Sequence, residues 1–414
     1  MRNIFDQYDG PENRLTHALG CCLQHDRRLL RAFVRWTTGR SKPARGQLEV
    51  LEQQVPGSPI GPSDQEGSGL PDLWILGDDD WSLIVESKVQ ARILAGQLHR
   101  HRCTARRNGF SDIDLLVLAP QTPSHRVPGV IYRTWPDLYA WVRQRTAESE
   151  WAACMADYME AAEARMIADG YLGDQTITRF DGIPFGPDHP YTYREGKRVL
   201  RLAMDELQKR RDLCELGVDP TGPRRTAITG SGANAVWDFL PFLASQAARN
   251  SKSFPHLTLA VQAHRALAIV SLPNAVPGRM RRNLTDLGNE EFGTLVGKVE
   301  AGITKAIGKI AGAAPFMEAV QKRYLSQRST PIDDARLEFD LRTAASSPQA
   351  PVKVQSQWLD ATFETLCQKR CHLQVGIGAS FPYGDPRIRS RDVLEVFAEV
   401  WIACRPWIRT ILER

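Results

Sequence analysis

Hydrophobic and polar positions recur along this chain with two periods, and each change of period marks an element. Near the N-terminus, Leu15, Leu19, Cys22 and Leu23 stand three and four residues apart, the spacing of one helical face. Gly10-Pro11-Glu12-Asn13 opens that helix, with Pro where the first turn has no N–H bond to lose, and Arg27 and Arg28 close it. Residues 47–55 read as a strand, and a Pro/Gly/Ser-rich loop spans 57–69. Residues 70–75 and 81–88 read as a half-buried hairpin about the turn Gly77-Asp78-Asp79-Asp80. A long helix is predicted over 89–107, with Ile93, Leu94, Leu98 and Cys103 inward. Strands at 112–118 and 130–132 follow, then a helix around 138–141.

The period changes again further on. Residues 148–166 read as a helix, and the broken run 180–187 places a domain boundary between about 165 and 190. Beyond it the pattern predicts helices at 199–214, 290–310, 357–369 and 391–411, and strands at 235–240, 257–263, 267–272 and 372–378. The expectation is an α/β protein: an N-terminal domain over 1–165 and an α+β accessory domain over 190–414 with a mostly antiparallel sheet.

Alternation gives the hairpin its chemical interest. Glu86 and Lys88 lie two apart and face the same way, Ser87 faces opposite, and Asp72 on the neighbouring strand converges on them. Two carboxylates and an ammonium beside an apolar sheet are costly to place without a reason, and a divalent cation supplies one. A surface hairpin with a solvated Glu–Lys pair is the plainer alternative. Glu12 lies on the apolar stripe of the first helix, either aimed at such a cation or favoured there by the helix dipole. From Ser87 to Ser111 there is no acid, while Lys88, Arg92, Arg100, Arg102, Arg106 and Arg107 are basic; one sign of charge beside a carboxylate cluster suits a passing phosphate backbone.

Pro71-Asp72 followed by Glu86-Ser87-Lys88 resembles the PD-(D/E)xK superfamily of restriction-type nucleases over about the first 150 to 165 residues. The resemblance implies a restriction-endonuclease-like αβββαβ core in which Asp72, Glu86 and Glu12 bind Mg²⁺, with Mn²⁺ as a substitute. It implies that Lys88 orients the attacking water and stabilises the charged transition state. Gln97 and His101 resemble a Gln-x-x-x-Tyr element of some branches, with His in place of Tyr; His99 and His101 are expected at the surface or on phosphate. The implied function is a metal-dependent endonuclease, expected to act on DNA, in bacterial restriction or phage defence. A homo-oligomer or a defence-system partner protein is the further implied assembly. The competing class is a catalytically silent nucleic-acid-binding or assembly module, which has no use for Asp72, Glu86 and Lys88 together.

Bulk composition narrows the rest. With 42% hydrophobic and 24% charged residues among 414, disordered and fibrous classes are excluded. No apolar run reaches the roughly 18 residues of a membrane span, and residues 1–6 carry no signal-peptide core, so no membrane and a cytoplasmic location are expected. Eight scattered cysteines suit a reducing compartment. Cys367, Cys371 and His372 lack a second ligand pair at zinc spacing, and Gly230-Ser231-Gly232 lacks a P-loop ending. Residues 1–165 carry a net charge of −1 and 166–414 a net of +6. The basic clusters Arg210-Arg211, Arg224-Arg225 and Arg279-Met280-Arg281-Arg282 suit nucleic acid or an acidic partner, and scattered surface charge explains them nearly as well; the expectation is that the +6 half supplies most non-specific affinity for nucleic acid.

Overall fold

The computed structural model describes residues 5, 6, 8, 10–41, 47–53, 70–77, 80–222, 234–245, 253–326, 329, 331–344, 355–368 and 372–413. The loop at 57–69, Asp78, Asp79, Arg224, Arg225, Gly230-Ser231-Gly232 and Cys371 lie outside them. The chain is a mixed α/β protein that divides into two compact units, 1–179 and 180–414.

The first unit runs α1 (Pro11–His25), α2 (Arg27–Thr38), β1 (Leu48–Glu52), β2 (Leu73–Gly77), β3 (Trp81–Ser87), α3 (Ala95–Arg107), β4 (Asp112–Ala119), β5 (Ile131–Thr134), α4 (Trp135–Arg143) and α5 (Glu150–Ala168). Its five strands lie in sequence order, with β1, β2 and β3 antiparallel and β3, β4 and β5 parallel. The parallel step is possible because α3 carries the chain back between β3 and β4. Odd positions of the hairpin, Leu73, Ile75, Leu83 and Val85, enter one core with Leu15, Leu19, Phe33, Leu138 and Met155 from α1, α2, α4 and α5. Even positions Trp74 and Ile84 enter a second core with Leu98 and Ala105 of α3. The predicted half-buried hairpin is therefore corrected: every residue of β3 is buried, because helices cover both faces and β4 flanks it.

Local chemistry fixes the helix ends. Pro11 stands at the start of α1, and Asp26 both ends α1 and caps α2, accepting from the Arg28 and Leu29 amides at 2.9 Å. Gly39 closes α2 at φ 69°, a left-handed geometry that glycine adopts freely. Thr134 and Asp137 form a capping box on α4.

The second unit contains α6 (Tyr193–Leu207), α7 (Arg211–Glu215), β6 (Ala235–Pro241), β7 (His256–Gln262), β8 (Arg265–Leu272), α8 (Gly278–Thr285), α9 (Gly288–Ile307), β9 (Ala314–Arg323), β10 (Ile332–Asp340), α10 (Leu341–Ala344), α11 (Gln357–Cys367), β11 (Leu373–Pro382), α12 (Val393–Ala403) and α13 (Arg405–Glu413). Its antiparallel sheet has the order β10-β9-β11-β8-β7-β6, with one face buried in a core shared with α6, α9 and α12. The single helix predicted over 391–411 is two, since Pro406 has no N–H to continue α12 and instead sits in the first turn of α13. The helix predicted over 199–214 likewise ends at Leu207 and restarts at Arg211. The pair β9–β10 is absent from the sequence prediction. β10 is an exposed edge strand bearing Asp333, Asp334, Arg336 and Glu338, a composition that blunts an edge and hides a strand pattern.

Candidate active site

The C-terminal end of β3 brings four charged side chains together. Glu86 is buried and Lys88 nearly so, and the ammonium lies 2.5 Å from Glu86 Oε1 and 3.3 Å from Glu12 Oε1. Glu12 reaches over from the first turn of α1, where its second oxygen accepts from the Val89 amide at 2.7 Å. Asp72, the residue before β2, accepts from the Ser87 amide at 2.7 Å through Oδ2. Its other oxygen receives no hydrogen bond from the described residues. The sequence-derived convergence of Asp72, Glu86, Lys88 and Glu12 is thus present as a cluster.

Backbone contacts lock the cluster in place. The Lys88 amide donates to Leu118 O at 2.8 Å, and the indole of Trp135 donates to Lys88 O at 3.0 Å. On the opposite face of β3, the Ser87 hydroxyl meets the Thr16 hydroxyl and ties the strand to α1. With the Lys88 and Val89 amides committed to Leu118 and Glu12, the chain leaves β3 without helical bonding, and α3 begins only at Ala95. That corrects the predicted helix over 89–107. Leu94, expected inward, is 58% exposed, and Cys103 is only half-buried.

Helix α3 then clamps Glu86. Gln97 donates from Nε2 to Glu86 Oε1 at 2.6 Å, and His101 Nε2 lies 2.9 Å from Glu86 Oε2. The expectation that His101 lies at the surface is wrong: its side chain is fully buried, between Leu98 and Ala105 on the inward stripe of α3. The signal was in the sequence, because positions 98, 101 and 105 are three and four apart. His99 is exposed.

Burial and neighbours set the protonation. Burial pushes the Asp72 carboxyl up, the Glu86 charge pushes it further, and together they place it at about 6. Burial acts the same way on Glu86, but the hydrogen bonds from His101 and Lys88 outweigh it and hold that carboxyl below its ordinary value. For Lys88 burial opposes the charge, and the Glu86 carboxylate overrides it, so the ammonium is held above its usual value.

Of the predicted phosphate contacts, Arg92, Arg100, Arg106 and Arg107 are exposed. Arg102 is not free in the same way, since its guanidinium donates to the Pro128 and Gly129 carbonyls. In the second unit, Arg210 pairs with Asp212 and Glu395, Arg211 pairs with Glu215, and Arg281 donates to the Leu366 and Thr365 carbonyls. Arg210 and Arg281 are thus tied to groups of the second unit itself, whereas Arg211 stays exposed beside Glu215.

The donor types suit a hard divalent cation: Asp72, Glu86 and Glu12 are carboxylates near one another, and burial and the Glu86 and Glu12 charges raise Asp72 despite the nearby Lys88 ammonium. Among the described residues no three acidic, His or Cys side chains stand ready in a metal-holding array. The carboxylate oxygens are instead engaged within the protein: Glu86 Oε1 by Lys88 and Gln97, Glu86 Oε2 by His101, and the two Glu12 oxygens by Lys88 and the Val89 amide. Comparisons of the chain with protein-family models, curated proteins and solved structures return no match. No helix among the described residues is long and apolar enough to cross a membrane.

Proposed function

We propose that this chain is a metal-dependent phosphodiesterase that cleaves nucleic acid at the Asp72–Glu86–Lys88 cluster. One observation carries the reading: a buried ammonium and three carboxylates share the end of one strand, and one of those carboxylates, Asp72, is held near pKa 6 by the burial and like charge around it. A silent binding module has no use for so costly an arrangement. The arrangement β1-β2-β3-α3-β4, with α1 preceding it, supports the same reading by matching the αβββαβ order that the motif implies.

Asp72, Glu86 and Glu12 would hold Mg²⁺ or Mn²⁺, which when bound supplies Lewis-acid charge and an activated water. Lys88 donates to the phosphoryl oxygen that gains negative charge as water adds to phosphorus and the bridging P–O bond breaks. Gln97 and His101 hold Glu86 in one orientation, so the cluster needs little rearrangement during the reaction. Arg92, Arg100, Arg106 and Arg107 offer exposed positive charge to the phosphate backbone on either side. Within this reading DNA is the proposed substrate, and restriction or phage defence the proposed setting.

The test is cleavage of labelled plasmid, linear duplex, single-stranded DNA and RNA by the purified chain with Mg²⁺, Mn²⁺ or EDTA. Divalent-dependent cleavage lost in both Glu86→Gln and Lys88→Met is the expected result. Cleavage by these variants at the wild-type rate would remove the assignment.

A further inference from the structure

Beside the charged cluster lies an open pocket of about 430 Å³ lined by Gly10, Glu12, Asn13, Gln90, Ala91 and Tyr171. That size falls within the roughly 300–1,000 Å³ of small-molecule pockets. Glu12 is common to both places, since its carboxylate lines the pocket and also lies 3.3 Å from Lys88. Whatever fills the pocket therefore sits next to any phosphate held by Lys88.

The lining is polar and reachable from solvent: Asn13 and Tyr171 are half-buried and Gln90 is exposed. Asn13, on the first turn of α1, makes no side-chain hydrogen bond to any described residue. Gln90 donates from Nε2 to the Tyr171 carbonyl, which fixes the amide and leaves Oε1 as a spare acceptor. The Tyr171 ring packs partly against the core of the first unit, which steadies it. The Asn13 amide, with a donor and an acceptor, and the Gln90 Oε1 acceptor match the hydrogen-bonding edge of a nucleobase, and a steadied aromatic ring gives its face something to stack on. A paired base in a duplex offers this open pocket neither its face nor its pairing edge, whereas an unstacked base offers both.

Resting on the nuclease reading above, we propose that this pocket receives one unpaired nucleobase beside the scissile phosphate. The substrate is then single-stranded nucleic acid or a locally opened duplex. Asn13, Gln90 and Tyr171 select it.

The experiment is binding of the full-length chain, without divalent cation, to a single-stranded DNA oligonucleotide, the same sequence as RNA, and the matching DNA duplex. A 2-aminopurine reporter in each single strand reads stacking. Asn13→Ala and Tyr171→Ala should each weaken single-strand binding about tenfold, the scale of one lost base contact, and leave duplex binding unchanged. Tyr171→Phe should keep most of the affinity, and guards against a Tyr171→Ala chain that fails to fold. The DNA and RNA arms show which sugar the site accepts. Variants that melt like wild type yet bind single strands like wild type overturn the proposal, as does equal loss on single strand and duplex. Because binding is read without cleavage, persistent Mg²⁺-dependent cleavage with indifferent Asn13 and Tyr171 sinks only the base pocket. Absence of cleavage on every nucleic acid sinks the nuclease reading.

Discussion

Asp72 is the carboxylate least well served by its neighbours, with one backbone hydrogen bond and a like charge beside it. Its folded carboxyl titrates near 6, above the 3.8 of an unperturbed Asp. The folded state therefore binds the proton more tightly than the unfolded state, and stability falls as pH rises from about 4 to about 6. Asp72→Asn removes that liability and should stabilise the cation-free chain by about 1–3 kcal/mol at pH 7.5, because each tenfold gain in proton affinity is worth about 1.4 kcal/mol before solvent access weakens it. The gain should vanish below about pH 4. Denaturant melts across pH check this, and an Asp72→Asn variant that gains no more over wild type at pH 7.5 than at pH 3.5 would contradict it. Cleavage should be lost in the same variant, the opposed effects on stability and activity that mark a functional carboxylate.

At the scale of elements, α3 is both a clamp and a contact surface. His101→Ala leaves Glu86 Oε2 without its buried partner and should cost about 2–3 kcal/mol, with His101→Gln restoring part of it, measured by thermal melting. On the outer face, Arg100→Glu with Arg107→Glu should flatten the log–log salt dependence of nucleic-acid binding by about one unit per lost phosphate contact. Arg102→Ala should act on stability instead, because that guanidinium is tied to the Pro128 and Gly129 carbonyls. The sequence showed the inward stripe of α1 and the alternation that puts Glu86 beside Lys88, since both follow from local periodicity. It did not show the late start of α3, because the carboxylate and carbonyl that capture the Val89 and Lys88 amides come from α1 and β4, remote in the chain. Nor did it show β10, whose charges erase the alternation that would reveal a strand.

At the scale of the whole molecule, each unit has its own apolar core, so residues 1–179 should fold alone and give a single cooperative melt. A chain of those residues that stays unfolded would show that the first core does not suffice. In the second unit, Arg210 and Arg281 are tied to neighbouring groups, and Arg211, Arg279 and Arg282 are exposed. The central claim concerns the cluster in the first unit, where Lys88 occupies carboxylate oxygens that a cation needs. The most direct measurement is calorimetric titration of Mg²⁺ into the full-length chain and its Glu86→Gln and Lys88→Met variants. One site should be present in wild type and lost in Glu86→Gln. In Lys88→Met it should be tighter than in wild type, although cleavage is abolished. Absence of binding to wild type, or binding that Glu86→Gln leaves intact, would contradict the assignment.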